Sequence, residues 1–458
     1  MTDNKDKFIR LRRTYQEFIF KGFDYVLKDN ELSVVYNFYA DDKFEFHPTL
    51  RFKDSGFYHF EKLGEDVLRN FLFNIGMVEL ISYWKAMVPP QVVVYDYELD
   101  ERQKAFWKKV YYHGLGEYFY LNGIDVSYDE FLNIQSRGER QMQPAGLELN
   151  SGVIIPVGGG KDSVVTLELL KNTGGDNLAL IMNPRGASSS TAAVAGFEEK
   201  TLVIERRLDK RLLELNGQGF LNGHTPFSAL LAFVTVLAAA GSGRKYIALS
   251  NEGSANEPTV AGTKINHQYS KSFEFESDFR DYVATNLSGD ISYFSMLRPL
   301  SEFQIASLFA RSPQYFSAFR SCNAGSKTDS WCGKCPKCLF TFIILSPFVS
   351  PGKLTEIFGT NLLDDNELEG YFDELTGLSE VKPFECIGTV DEVNAALCLT
   401  RSRYSTLPRL LQRHKEKFGD DFCKKVNKKQ LLTKVSEEHF LEPQFLDILK
   451  QALKEDNE

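Results

Sequence analysis

The chain has 458 residues, a formal net charge of −9, and a composition that is 43% hydrophobic and 25% charged. That length exceeds what one ordinary core accommodates, so two or three folded domains are expected. An acidic balance without a block of like charge excludes the basic footprint of a nucleic-acid binder. The opening stretch MTDNKDKFIRLRRTYQEFIF carries charges but no apolar core with a small-residue cleavage site, so export is not expected. Residues 1–148 are dense in Phe and Tyr. They combine strand-like runs such as LSVVYNFYA and KFEFHPTLRF with helical patterns such as EDVLRNFLFNIGMVELISYWKAM, which reads as an α+β domain.

From residue 149 the pattern changes. Short apolar runs, GVIIPV, NLALIMN, TLVIER, KYIALS and YFSMLRP, alternate with helical or polar stretches, as in a doubly wound α/β domain with a parallel sheet, here 149–345. Within it FSALLAFVTVLAAAGSG is the most apolar segment, but it is shorter than the roughly 20 residues needed to cross a bilayer, so a buried helix and no membrane are expected. After the break LSPFVSPGK, residues 346–458 read as a mostly helical region.

The first apolar run ends at Gly158, Gly159 and Gly160, followed by Lys161, Asp162, Ser163 and a helical pattern. Glycines at a strand-to-helix bend admit positive φ and close approach of a ligand, and the amides opening the next helix suit an anion. A Walker loop does not fit, because Lys161 is followed by Asp, and a dinucleotide fingerprint lacks its third glycine. An acid beside bound phosphate makes sense when Mg²⁺ lies between them. The stretch resembles the Ser-Gly-Gly-x-Asp-Ser loop of the PP-loop ATP pyrophosphatases, with Gly158 standing where that family has serine. The resemblance implies an adenine nucleotide alpha hydrolase-like fold and cleavage of ATP between its α and β phosphates. It further implies that Gly158 to Gly160, Lys161 and Ser163 hold the pyrophosphate while Asp162 positions Mg²⁺. MLRPLSEFQIASLFA is similar to a segment opening the last helix of that superfamily, and IMNPR makes Asn183 and Arg185 candidate nucleotide contacts.

Four of the seven cysteines fall in RSCNAGSKTDSWCGKCPKCLF. Nine residues separate Cys322 from Cys332, and two separate each of the pairs Cys332/Cys335 and Cys335/Cys338. This spacing lets four thiolates close on one tetrahedral ion, with structural Zn²⁺ expected and an iron–sulfur cluster or redox pair as alternatives. A metal cluster in place of disulfides is the pattern of a reducing cytoplasm. The cluster is similar to the zinc site of 7-cyano-7-deazaguanine synthase, another PP-loop enzyme.

Three further segments stand out, SNEGSANEPTVAGTKINHQYSKSFEFE, YYHGLGEYFYLNGIDV and VKPFECIGTVDEV, the first of them an unusually polar, non-repetitive loop. The last contains a capping box, Thr389 with Glu392, which places Cys386 just before a helix N-terminus where its thiolate is favoured. Together with the glycine loop and the cysteines, these segments resemble the MurL family of UDP-N-acetylmuramoyl-L-alanyl-L-glutamate epimerases over nearly the whole chain. That resemblance implies ATP- and Mg²⁺-dependent inversion of the terminal glutamate of UDP-MurNAc-L-Ala-L-Glu through an acyl-adenylate, for peptidoglycan synthesis. On this reading Glu252, His267, Tyr269 and Cys386 are candidates for the proton transfers, and Lys264, Lys271 and Arg298 for neutralising substrate carboxylates or phosphates. The alternatives are an adenylating enzyme acting on a nucleobase and a non-catalytic ATP-sensing protein.

Overall fold

The computed structural model describes residues 4–454 apart from 261 and 264. Its strands are β1 (Glu17–Lys28), β2 (Glu31–Ala40), β3 (Phe44–Phe46), β4 (Thr49–Phe52), β5 (Gln91–Val94) and β6 (Asn133–Ser136). They continue with β7 (Asn150–Pro156), β8 (Leu178–Met182), β9 (Thr201–Arg207), β10 (Arg244–Leu249) and β11 (Ser292–Ser295). All five apolar runs of the middle region are strands. The chain forms two compact units that interleave in sequence: Met1–Ile154, Leu202–Ile247 and Ile265–Tyr293 make the first, and Ile155–Thr201, Ala248–Lys264 and Phe294–Glu458 the second.

In the first unit β1 and β2 form an antiparallel hairpin whose two-residue turn, Asp29–Asn30, has positive φ at both positions (50° and 62°). That geometry matches the strand twist and suits Asp and Asn. Alternation buries Phe18, Phe20, Tyr36 and Phe38 on one face. The strands lie in the order β9–β4–β2–β1–β5–β6, with β3 also on β2. Pairing is parallel for β1/β5 and β5/β6 but antiparallel for β4/β9, where Phe52 faces Ile204. The sheet is therefore mixed, although the apolar runs after residue 149 read as a parallel series. Helix Glu65–Glu79 packs so closely that a Cβ at Gly76 would lie 2.3 Å from the Phe20 ring. The apolar helix Phe227–Ser242 is almost wholly buried, with the Phe233 ring stacked 5.1 Å from Trp107.

β7 and β10 pair in parallel, and β7, β10 and β11 each begin in the first unit and finish in the second. In the second unit the amide of Val157 continues the ladder to Leu180 of β8. Beyond residue 300 this unit is helical, from Glu302–Ala310 and Pro336–Leu345 through Val390–Thr400 and Arg409–Lys424 to Pro443–Lys454. Among the described residues no helix is long and apolar enough to cross a membrane.

Candidate functional site

The glycine bend leaves β7 and enters helix Lys161–Leu170, with Gly160 as its N-cap. Gly159 has a φ of 88°, and a Cβ there would stand 2.6 Å from the Ser188 nitrogen, so only glycine fits. The bend is held by its own chain. The Gly159 amide donates to Ser163 Oγ (3.2 Å), the Ser163 hydroxyl donates to the Gly160 carbonyl (2.9 Å), and the Arg320 amide donates to the Gly159 carbonyl (2.8 Å). Gly158 is exposed at the mouth of the bend.

Lys161 turns inward and is only 3% exposed. Its ammonium donates to Asp162 Oδ1 at 2.5 Å and to the buried Glu302 carboxylate. Burial alone would lower the lysine pKa, but the charges of Asp162 and Glu302 and their hydrogen bonds outweigh it and hold the proton firmly. Glu302 opens helix Glu302–Ala310 behind the capping box of Ser301 and Gln304. Burial, and then the nearby acids Asp162, Glu252 and Glu392, push its carboxyl well above the usual range, with Lys161 opposing. The carboxylates of Asp162, Glu252 and Glu302 lie within 4.8 Å of one another. Glu392, whose capping box with Thr389 is formed, also accepts from the Glu302 amide at 2.6 Å.

Of the sequence candidates, Asp162 and Glu252 are thus brought together. Glu302 and Glu392 complete the group; Glu392 reads in the sequence only as half of the capping box with Thr389, and Glu302 lies 50 residues from Glu252. Arg298 is 1% exposed and donates to the Glu252 carbonyl at 2.8 Å, so it fixes the segment that carries Glu252. Asn183 ends β8 in the left-handed region (φ 51°), and Arg185 is the N-cap of helix Gly186–Val194; both are exposed. Cys386 is half-buried in the coil before helix Val390–Thr400 and carries no disulfide. Lys264 lies outside the described residues.

His267, Tyr269 and Lys271 belong to the first unit. Tyr269 is 5% exposed, its ring 5.1 Å from His113, and burial followed by the charges of Asp278 and Glu274 pushes its phenol far above the ordinary range. Lys271 is half-buried at the end of the turn Tyr269–Lys271. His267 Nδ1 meets Glu117 Oε2 at 2.5 Å.

The four cysteines converge. The sulfurs of Cys322/Cys335, Cys332/Cys338 and Cys335/Cys338 are 3.8, 3.7 and 3.5 Å apart, and all four lie within 4.8 Å of one another. Thiolates at about 2.3 Å from a tetrahedral ion stand about 3.8 Å from each other, so the set fits a metal. Gly333 takes the left-handed turn between ligands (φ 67°), and Pro336 opens helix Pro336–Leu345. Amides of Gly325 and Cys338 point at Cys322 and Cys335 at 3.1 and 3.4 Å, as hydrogen bonds to thiolate require. Cys398 and Cys423 form a disulfide between helices Val390–Thr400 and Arg409–Lys424, so the expectation of a metal cluster in place of disulfides does not hold for the whole chain.

The MurL N-terminal domain matches residues 10–296, and the MurL C-terminal domain matches residues 317–423. The chain is 38% identical over 331 residues to the UDP-N-acetyl-alpha-D-muramoyl-L-alanyl-L-glutamate epimerase of Xanthomonas oryzae pv. oryzae, covering 70% of this chain and 72% of that protein. Proteins of the same name from a Micromonospora species and from Salinispora tropica are 36% and 38% identical over 329 and 327 residues. In each of these pairs the match spans 70% of this chain, and it covers 72% and 70% of the two relatives, respectively. With both halves matched in order, the chain belongs to the MurL family of epimerases, enzymes of the isomerase class.

Proposed function

We propose that the protein is an ATP- and Mg²⁺-dependent epimerase that inverts the terminal L-glutamate of UDP-MurNAc-L-Ala-L-Glu in cytoplasmic peptidoglycan synthesis. The observation that carries the chemical part is the gathering of Asp162, Glu252, Glu302 and Lys161 where a glycine bend opens a helix. Oxygen donors in that number suit Mg²⁺, and the amides beside them suit the phosphates it accompanies. On this reading the bend is the pyrophosphate loop of a PP-loop fold. The α-proton of a free carboxylate resists removal because the enolate would carry adjacent negative charges. ATP with Mg²⁺ would supply the adenylyl group, whose mixed anhydride with that carboxylate removes one charge and acidifies the carbon; after reprotonation water cleaves the anhydride, freeing the inverted carboxylate and AMP.

The chain's own residues do the rest. The amides that open helix Lys161–Leu170, and the Ser163 hydroxyl once turned from the Gly160 carbonyl, bind the leaving pyrophosphate, and Asp162 holds the cation. Lys161 keeps Asp162 and Glu302 in place. Glu252 and Cys386 are proposed to carry the α-proton off and back. Tyr269, whose phenol keeps its proton, serves only as a donor. Lys264 and Lys271 are assigned to substrate carboxylates or phosphates, Asn183 and Arg185 to the nucleotide, and the four clustered cysteines to a structural Zn²⁺.

Incubation with ATP, Mg²⁺ and the L-Ala-L-Glu nucleotide, followed by chiral analysis of the glutamate, tests the proposal. D-glutamate with AMP and pyrophosphate is expected. Binding of ATP without pyrophosphate release would indicate a sensing protein, and AMP formation only with a carboxylated deazaguanine would indicate a nucleobase-modifying enzyme.

A further inference from the structure

The first unit contains a second group of metal-type donors, remote in sequence from the glycine bend and the cysteines. Glu117 stands in the first turn of helix Gly116–Leu121, His224 lies in the coil between helices Lys210–Gly217 and Phe227–Ser242, and His267 follows Ile265. Their donor atoms lie within 4.8 Å of one another. Both histidines present Nδ1 to one oxygen, Glu117 Oε2, His267 at 2.5 Å and His224 at 3.7 Å, and their rings stand 4.4 Å apart. The three side chains are 12%, 29% and 12% exposed for Glu117, His224 and His267, so the group is sheltered but reachable.

Packing fixes this convergence. A Cβ at Gly114 would come within 2.7 Å of the Pro226 side chain, one at Gly223 within 3.0 Å of Tyr118, and one at Gly116 within 3.8 Å of Ile265. Close approach at Gly114 and Gly223 thus draws the His224 segment onto the Glu117 region, and the His267 segment lies in ordinary contact at Gly116. The Lys85 ammonium donates to Asn222 Oδ1 and the Gly223 carbonyl and so orders the residues just before His224.

We infer that Glu117, His224 and His267 form a binding site for a divalent transition ion of the Zn²⁺ or Co²⁺ type, separate from the four-cysteine cluster. Two imidazole nitrogens and one carboxylate are the donor set such ions prefer, and three protein ligands leave one tetrahedral position open to a further oxygen donor. The positive charges of Lys85 and Lys271 act on His224 and oppose a dication. Weakly held hard cations such as Mg²⁺ and Ca²⁺ are therefore disfavoured, whereas a transition ion gains from its nitrogen donors. His267 is then a metal ligand and not a proton carrier. The inference does not depend on the proposed function.

Full-length protein stripped with a chelator and titrated with Co²⁺ gives the test, because the two sites differ in colour. A thiolate site shows an intense near-ultraviolet sulfur-to-cobalt band, whereas a nitrogen–oxygen site shows only the weak visible bands. With excess Mg²⁺ occupying the carboxylates at the glycine bend, two equivalents of Co²⁺ are expected in the wild type, one of each kind. His224→Ala and, independently, Glu117→Gln should each lose the equivalent without the sulfur band and keep the other, whose band also reports that the chain has folded. Unchanged stoichiometry in both variants, or a wild type in which all bound Co²⁺ shows the sulfur band, overturns the inference.

Discussion

Replacing Lys161 strands Glu302 as a buried carboxylate facing Asp162, Glu252 and Glu392 with no ammonium to balance them. Breaking one side of a buried pair typically costs about 3–5 kcal/mol, whereas replacing both partners by neutral groups costs much less. Lys161→Met should therefore lower the unfolding free energy by that order in a urea titration, and Lys161→Met with Glu302→Gln should recover most of it. The lysine pKa is raised in the folded state, so its contribution is complete below the unfolded value of about 10.4 and is lost only at more alkaline pH. Asp162 is different. Its side chain is 31% exposed, so its half of the ion pair is screened, and Asp162→Ala should cost less than about 1 kcal/mol. On the proposed mechanism the same change should abolish pyrophosphate release while circular dichroism remains that of the wild type. Near-normal ATP turnover in Asp162→Ala would remove the glycine bend from the reaction.

Helix Arg409–Lys424, kinked at Gly419 by a φ of 74°, is rich in charges of both signs, yet His414 within it is wholly buried. The Arg401 guanidinium donates to His414 Nδ1 at 2.7 Å, and the ring's other nitrogen meets Asn394 Oδ1 at 3.1 Å. A proton on Nδ1 would face a cation, and burial first, then Arg401, depress this histidine to about 3. With a folded-state value below the unfolded one, the denatured chain takes up the proton first. Stability is thus complete above about 6.5 and falls as pH drops toward 3, by about 1.4 kcal/mol per unit from this one residue. Urea titrations at stepped pH should show this slope, and His414→Gln, less stable at neutral pH, should show a shallower one. Equal slopes in the two proteins would rule the residue out as the cause. Elsewhere the elements were legible where their signals are local. The triple glycine is a strand-to-helix bend, Thr389 and Glu392 do cap a helix, and the cysteine spacing does bring four sulfurs together. His414, the Cys398–Cys423 disulfide and the Glu302 partners of the glycine bend were not legible, because each depends on side chains that meet only after helices pack.

On the scale of the whole molecule the same limit explains the domain organisation. The pattern changes near residue 149, and β7 begins at Asn150, but the compact units divide inside that strand, after Ile154. No local signal tells that β9 will pair with β4, or that Glu117, His224 and His267 will meet, because these partners come from segments of chain more than 40 residues apart. The consequence can be tested by cutting at that point. Residues 202–247 and 265–293 belong to the same compact unit as the first 154 residues, so a fragment of residues 149–458 takes part of a core without its complement. Helix Phe227–Ser242 would lose Trp107, which stacks on Phe233, and Phe60, against which Gly241 is closed. β9 would lose its antiparallel neighbour β4. Each large apolar side chain left in water forfeits about 1.5–3 kcal/mol, and this helix carries several, so the loss is comparable to the roughly 5–15 kcal/mol by which domains are stable. The fragment should be recovered aggregated or should bind an apolar-surface dye strongly, while co-expression with residues 1–148 should restore a soluble, cooperatively unfolding species. A fragment 149–458 that by itself unfolds in one sharp transition and binds no dye would show that the glycine-bend region folds independently, against the interleaved arrangement of the two units.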